Sequence, residues 1–305
     1  MDTEATTPFV TDFAAMPGRG VTLHVARAGP EGGPLVILLH GFPEFWYGWR
    51  HQIGPLAAAG CRVLAPDQRG YNLSEKPRGL DHYTLDALAD DVLGLIDASG
   101  RKSAAIVGHD WGGIVGWWLA LRHPDRVERL AVLNAPHPEY LRRNLWTRPA
   151  QLLKSWYVFA FQIPWLPEKS LGRFGGRPLA ESLRRTSRPG TFSDDELARY
   201  RASWSQPGAL TAMVNWYRAA VRARPAEVPG PRVRVPVLIV WGARDAFLMR
   251  AAATSALARC DQGRLEFLEQ ATHWVQHEEP DRVNRLLTAF LRSDDPPAPP
   301  APAPG

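Results

Sequence analysis

The sequence predicts an α/β fold with a mostly parallel central sheet and an inserted helical segment, and three observations carry that expectation. Short runs rich in β-branched residues and leucine alternate with longer amphipathic stretches between Val21 and Asn134, the pattern of βα units feeding a parallel sheet. Two further apolar runs resume that pattern only after about a hundred residues, a gap too long for a loop. The chain then closes on Arg282 to Leu291, where Val283, Leu286, Leu287 and Phe290 recur at helical spacing and so face a core.

In chain order, the strand candidates are Leu35 to Leu39, Arg62 to Ala65, Ala104 to Val107 and Leu130 to Leu133, followed after the gap by Val237 to Trp241 and Leu265 to Leu268. The stretch from Pro138 to Pro231 is rich in Trp, Arg and Leu and reads as helices broken by prolines and glycines. The expected division is therefore a core in two parts, residues 1–137 and 232–292, with a helical cap of residues 138–231 between them. Residues 293–305 contain the run PPAPPAPAPG, which cannot pack and is expected to be a disordered, polyproline-like tail.

Composition narrows the function classes. At 305 residues, 45% apolar and 22% charged, the chain has ample material for a globular core. The net charge of +5 is carried almost wholly by arginine, since only Lys76, Lys102, Lys154 and Lys169 are lysine. Because the arginines are scattered among acids with no dense basic run, no nucleic-acid partner is expected. Cys61 and Cys260 form no disulfide framework or metal-type spacing. The N-terminal segment lacks the positive and then apolar character of a signal peptide, and no apolar run approaches the ~18 residues of a membrane span. A cytoplasmic location and no membrane partner are the resulting expectations.

The chemistry centres on Val107-Gly108-His109-Asp110-Trp111-Gly112-Gly113, which follows an apolar run and precedes the stretch Ile114 to Leu121, read as amphipathic. Strand, sharp turn and helix with glycines two residues either side of a central side chain suit a strained nucleophile elbow. Its usual occupant in lipases and esterases is serine; here it is Asp110. A carboxylic acid of reference pKa ~3.9 is already ionised at neutral pH and needs no base to attack. The resulting ester does need a base to activate water. Asp245 just beyond Val237 to Trp241 and His273 just beyond Leu265 to Leu268 supply an orienting acid and that base, in the order nucleophile, acid, histidine. Backbone N–H groups of Trp111 and Phe42 are the expected oxyanion donors.

With these residues in view, His40-Gly41-Phe42-Pro43-Glu44, Asp67-Gln68-Arg69-Gly70-Tyr71, the elbow motif and His273-Trp274 together resemble the epoxide hydrolases of the α/β-hydrolase superfamily, over nearly Val21 to Leu291. The resemblance implies an α/β-hydrolase fold with an inserted helical cap, a cis peptide before Pro43, and two cap tyrosines that hold and protonate the epoxide oxygen. Asn215-Trp216-Tyr217-Arg218 resembles the second tyrosine motif closely, and Trp156-Tyr157-Val158-Phe159-Ala160-Phe161-Gln162 resembles the first more loosely. His40, Pro43 and Trp156 are expected at the substrate pocket. The implied substrates are an epoxide and water, with no cofactor and no metal. A haloalkane dehalogenase using the same nucleophile is the alternative enzyme, and a non-catalytic ligand-binding protein of the same fold is the alternative of another class. Trp111 fits both enzymes, whereas Phe42 lacks the side-chain donor that many dehalogenases place there.

Some residues take plainer readings. His109 and His40 read as loop-packing or hydrogen-bonding residues, and His123, His137 and His277 as surface residues. Asp67 and Arg69 read as a structural loop interaction, and Asp86, Asp90 and Asp91 as a solvated helix face. Taken alone, Asp110 would be an N-cap residue and Tyr217 or Tyr157 a packing aromatic; their motif contexts raise the functional reading.

Overall fold

The computed structural model describes residues 10, 12–140, 156–223, 230 and 232–292. Its centre is an eight-stranded sheet in the order β1-β2-β4-β3-β5-β6-β7-β8. The strands are β1 (Asp12–Pro17), β2 (Thr22–Ala28), β3 (Leu35–Leu39), β4 (Arg62–Pro66), β5 (Ala104–His109), β6 (Val127–Leu133), β7 (Val237–Gly242) and β8 (Gly263–Leu268). β1 and β2 form an antiparallel edge, β2 also pairs antiparallel with β4, and every other pairing is parallel.

The six expected strands are all present, most of them one to three residues longer than the apolar runs that announced them. β3, β5 and β7 are buried along their whole length. Helices cover both faces of such a sheet, so its central strands read as continuous apolar runs rather than alternating ones. β1 and β2 were not anticipated, because DFAAMP carries no β-branched residue and ends in proline, and in TLHVARA the half-buried His24 and Arg27 fall on opposite faces and break any clean alternation.

The core helices are α1 (Arg50–Ala58), α2 (Leu85–Ala98) and α3 (Trp111–Arg122), and after the insertion α9 (Arg250–Leu257), the short α10 (Val275–Glu278) and α11 (Pro280–Arg292). α3 corrects an expectation: rather than amphipathic, it is buried from Trp111 to Leu121, packed on β3, β5 and β6 and covered by α2. A helix buried all round carries no polar face. α11 buries Val283, Leu286, Leu287 and Phe290, the four residues its spacing singled out.

Between β6 and β7 lie α4 (Trp156–Ala160), α5 (Leu166–Leu171), α6 (Arg173–Thr186), α7 (Asp194–Trp204) and α8 (Ala209–Arg222). α7 begins with a capping box in which the Ser193 side chain accepts from Glu196 N–H and the Glu196 carboxylate accepts from Ser193 N–H, satisfying two end donors at once. The insertion is tied to the core by buried indoles: Trp204 Nε1 donates to Pro43 O at 2.6 Å and Trp216 Nε1 donates to Arg69 O at 3.0 Å.

Three further readings are corrected. Asp91 does not sit on a solvated face; it is buried and forms a bidentate pair with Arg69 through Nε at 2.8 Å and Nη2 at 2.7 Å. Burial nevertheless pushes its carboxyl up to about 6, against the pull of Arg69. Asp67 therefore does not partner Arg69; its carboxylate instead meets His24 Nδ1, Trp46 N–H and the Asn72 amide. His137 and His277 are buried, not superficial. Cys61 and Cys260 are buried free thiols. The expected tail, residues 293–305, lies outside the described residues.

Candidate active site

β5 delivers the nucleophile. Asp110 follows its last residue with φ 49° and ψ −119°, a left-handed conformation that side chains rarely adopt. Asp110 N–H donates to Leu133 O at 3.2 Å, and Asp110 O accepts from Ile114 N–H at 3.0 Å, so strand and helix both grip the turn. The flanking glycines are required by contact: a Cβ on Gly108 would stand 2.4 Å from Gly112 O, and one on Gly112 would stand 2.1 Å from Leu39 O. Only glycine lets α3 start this close to β3 and β5.

The loop after β3 closes over the carboxylate. Phe42 N–H donates to Asp110 Oδ1 at 3.0 Å, and the Phe42–Pro43 peptide is cis. Trp111 is the first residue of α3, and an N–H in that position has no partner within its own helix. The other oxygen, Asp110 Oδ2, lies 3.5 Å from His273 Nε2. The opposite ring nitrogen of His273 is 2.7 Å from Asp245 Oδ2, an arrangement that fixes the tautomer. Asp245 is held in turn by Phe247 N–H at 2.7 Å and Leu248 N–H at 2.9 Å on one oxygen, and by the Asn134 amide at 2.7 Å on the other.

Two anions set the charge on the histidine. Burial alone would lower its pKa, but Asp245 and then Asp110 outweigh burial and raise it to about 10. Asp245 is kept below the usual carboxylate range, because the His273, Asn134 and main-chain partners overcome its own burial. The resting site is thus an imidazolium between two carboxylates.

The inserted helices roof this constellation with aromatic rings. Tyr217 on α8 packs edge-on against Trp111 at 5.0 Å, Phe42 at 5.2 Å and Phe161 at 5.0 Å between ring centroids. Tyr157 on α4 meets Tyr217 at 5.9 Å and Phe247 at 6.1 Å, so the two tyrosines are neighbours although sixty residues separate them in sequence. Both phenols are pushed well above their ordinary pKa, first by burial, with the negative charge of Asp110 adding to it in each case.

Behind the histidine is a buried polar cluster that motif reasoning did not resolve. Glu44 accepts from His277 Nε2 at 2.7 Å, Tyr200 Oη at 2.8 Å and Gln276 Nε2 at 3.0 Å. Its carboxyl is held far below the usual range, because His277 and His109 outweigh its burial. His277 is neutral, driven down to about 4 by burial, and its Nδ1 accepts from Arg50 Nη1 at 2.8 Å. His109 Nε2 donates to His273 O at 2.9 Å, and its Nδ1 lies 3.2 Å from Glu44 Oε2. Glu44 stands inside the His-Gly-Phe-Pro-Glu motif, but its partners lie 65 to 233 residues away, and no local pattern joins them.

The structure thus brings Asp110, Asp245, His273, Phe42, Trp111, Tyr157 and Tyr217 together. It places three other expected residues differently. Trp156 is 67% exposed, so its ring points away from the enclosed site. His40 is buried as scaffold: its Nε2 accepts from Gln68 N–H at 3.0 Å and its carbonyl from Gln68 Nε2 at 2.6 Å. Pro43 is buried beneath α7 through the Trp204 bond. Asn134, which holds both Asp245 and the Gly242 N–H, was missed, because a lone asparagine after a strand carries no signal of its own. Among the described residues no cluster of His, Cys, Asp or Glu is arranged to hold a metal ion.

Comparison with known proteins agrees with this geometry. A family profile described as alpha/beta hydrolase fold matches residues 34–280. The AB hydrolase superfamily protein YfhM of Bacillus subtilis is 48% identical over 274 residues, covering 90% of this chain and 96% of that protein. Human epoxide hydrolase 4 is 37% identical over 281 residues, covering 90% of this chain and 77% of that protein. The crystal structure of Bacillus megaterium epoxide hydrolase in complex with an inhibitor superposes with a TM-score of 0.82 at 32% identity, covering 92% of this chain and all of that one. The chain belongs to the epoxide hydrolase family of the α/β-hydrolase superfamily.

Proposed function

We propose that this protein hydrolyses an epoxide to a vicinal diol through a covalent ester on Asp110. The observation that carries the reading is the division of the Asp110 carboxylate, one oxygen held by Phe42 N–H at 3.0 Å and the other 3.5 Å from His273, with the neighbouring rings of Tyr217 and Tyr157 packed over the site. That is a nucleophile, a base and acids for an alkoxide in one enclosed space.

In the first step a carboxylate oxygen of Asp110 attacks an epoxide carbon, the ring C–O bond breaks, and its electron pair stays on the ring oxygen. An alkoxide is as poor a leaving group as hydroxide, with a parent acid of pKa ~15.7, so Tyr217 or Tyr157 gives it a proton. Alkylation neutralises Asp110, whose charge had helped hold both phenols protonated. The acids therefore become stronger at the moment they are needed. The same loss of charge removes one of the two anions that held the proton on His273. That proton restores the tyrosine, leaving a neutral imidazole.

In the second step His273 takes a proton from water as the water oxygen attacks the ester carbonyl. The oxyanion develops toward Phe42 N–H and Trp111 N–H, a position where one donor is typically worth ~100 to 1,000-fold in rate. The acyl C–O bond then breaks, the departing alkoxide takes the proton of the new carboxylic acid, and the site returns to carboxylate and imidazolium. Asp245 keeps the imidazole oriented throughout.

The dehalogenase alternative would use the Trp111 indole as a halide donor, whereas here the Tyr217 ring packs edge-on against that indole at 5.0 Å. The test is diol formation from a panel of aryl and alkyl epoxides, with halide release from haloalkanes run in parallel, for wild type and Tyr217→Phe. Diol lost in the variant supports the reading; halide without diol would replace it with the dehalogenase.

A further inference from the structure

Among the described residues, seven large apolar side chains are exposed, and six of them lie in the inserted segment: Trp156, Ile163, Trp165, Leu166, Phe174 and Val221. Trp165 is 68% and Phe174 73% exposed. Ile163, Pro164, Trp165 and Leu166 are exposed in succession, a run that a soluble surface avoids unless it is used. Two of the aromatics are also turned outward by unusual backbone, Trp165 at φ 53° and Phe174 at φ 51°.

The run is held fixed. Arg218 Nη2 donates to Ile163 O at 2.8 Å, Arg222 Nε donates to Gln162 Oε1 at 3.0 Å, and Leu166 N–H donates to Pro164 O at 2.6 Å. The two arginine bonds join the apolar turn to α8, whose Val221 is itself exposed. Trp156 begins α4, the helix whose next residue, Tyr157, roofs Asp110.

The stretch around these side chains holds more cations than carboxylates. From Trp156 to Phe192 the sequence holds six cations, Lys169, Arg173, Arg177, Arg184, Arg185 and Arg188, against two carboxylates. Both carboxylates are paired, Glu168 with Arg218 at 2.6 Å and Glu181 with Arg177 at 2.8 Å, and Arg184 and Arg188 pair with Asp194 and Glu279, so among the described residues Lys169, Arg173 and Arg185 carry the uncompensated charge. Lys169 and Arg173 are exposed beside the apolar turn, and Arg173 lies over the Phe174 ring at 5.3 Å. Indole and phenyl rings flanked by Lys and Arg are the chemistry of an interfacial anchor, apolar bodies entering the acyl boundary and cations meeting headgroup phosphates.

From this we propose that the outer face of the inserted helices docks on an anionic phospholipid surface, with Trp165, Leu166 and Phe174 entering it and Lys169 and Arg173 meeting its phosphates. This departs from the expectation of no membrane partner; no helix among the described residues is long and apolar enough to cross a membrane, and the proposed contact is with the surface alone. A second copy of the chain is the weaker occupant, since two such faces would bring Lys169 and Arg173 against their own kind. The proposal does not depend on the epoxide reading. Its consequence for that reading is that α4 would have lipid on one side and Tyr157 on the other, a short path for an apolar substrate.

The test is co-sedimentation of the full chain with phosphatidylcholine vesicles with and without phosphatidylglycerol. Wild type should bind the phosphatidylglycerol vesicles and lose binding as salt is raised. Trp165→Ser with Phe174→Ser, and separately Lys169→Glu with Arg173→Glu, should each weaken binding roughly tenfold or more. Both double variants should keep wild-type melting temperature and turnover of a water-soluble substrate, since the four side chains are exposed and none makes a hydrogen bond, ion pair or ring contact with the residues around Asp110. The proposal is overturned if wild type ignores phosphatidylglycerol, if either folded double variant binds as wild type does, or if wild type is a dimer that the apolar variant dissolves without any lipid binding.

Discussion

Asp245 Oδ2 accepts from His273 Nδ1 and from the Asn134 amide, each at 2.7 Å. Asn134 also accepts the Gly242 N–H at 2.8 Å, so one side chain at the end of β6 fixes both the acid and the strand end that precedes it. Removing it should cost function and stability together. Asn134→Ala strands a buried Gly242 N–H, and an unsatisfied buried donor costs about 1–3 kcal/mol. A lowered denaturation midpoint with kcat reduced more than KM is expected in unfolding and steady-state assays; unchanged stability would show that another group takes the N–H.

His273→Gln and Asp110→Asn should separate the two half-reactions. With His273→Gln the carboxylate can still attack, but no base activates water, so intact mass under single-turnover conditions should show protein plus one substrate. Asp110→Asn should show no adduct. An unmodified His273→Gln protein, under conditions where wild type turns over, would falsify the ester mechanism.

Tyr217→Phe keeps the ring that packs on Phe42, Trp111 and Phe161 while deleting the hydroxyl. General acid catalysis typically supplies about 100 to 10,000-fold. Because Tyr157 stands beside Tyr217, each single Phe variant should lose part of that, and the double variant should lose far more of the alkylation rate in rapid-quench experiments. If the double variant is no slower than Tyr217→Phe, Tyr157 is only packing.

The histidine predicts a pH dependence of stability with a definite sign. Its folded pKa of about 10 lies above the ordinary 6.5, so the native state binds this proton more tightly than the unfolded chain. The stabilisation from that proton is complete below pH 6.5 and is lost as pH rises toward 10. The stability difference between wild type and His273→Gln, read from urea denaturation, should therefore shrink between those values. A difference that stays constant would mean that His273 is neutral in the resting protein.

How far the sequence led can be judged residue by residue. It determined the sheet's central strands, because β3, β5 and β7 are buried on both faces and burial writes itself as continuous apolar runs. It determined the elbow, because the close approach of α3 to β3 admits only glycine at position 112. The order of Asp110, Asp245 and His273 followed from their places just beyond three strands.

Other features were decided only when the chain closed on itself. Trp156 shares an aromatic segment with Tyr157, yet one ring is exposed and the other roofs the site, a choice made by packing of α4 against Tyr217 and Phe247 and not by composition. His137, His277 and Asp91 read as surface residues because a single polar side chain carries no mark of burial; it becomes tolerable inside only when partners such as Arg50, Glu44 or Arg69 arrive from elsewhere in the chain. The sequence alone determined the strands and the chemistry at their ends, because those depend on local period and local contact. Tertiary structure decided which polar groups were buried and how they were charged, because hydrogen-bond satisfaction and electrostatic field are sums over neighbours that only folding assembles.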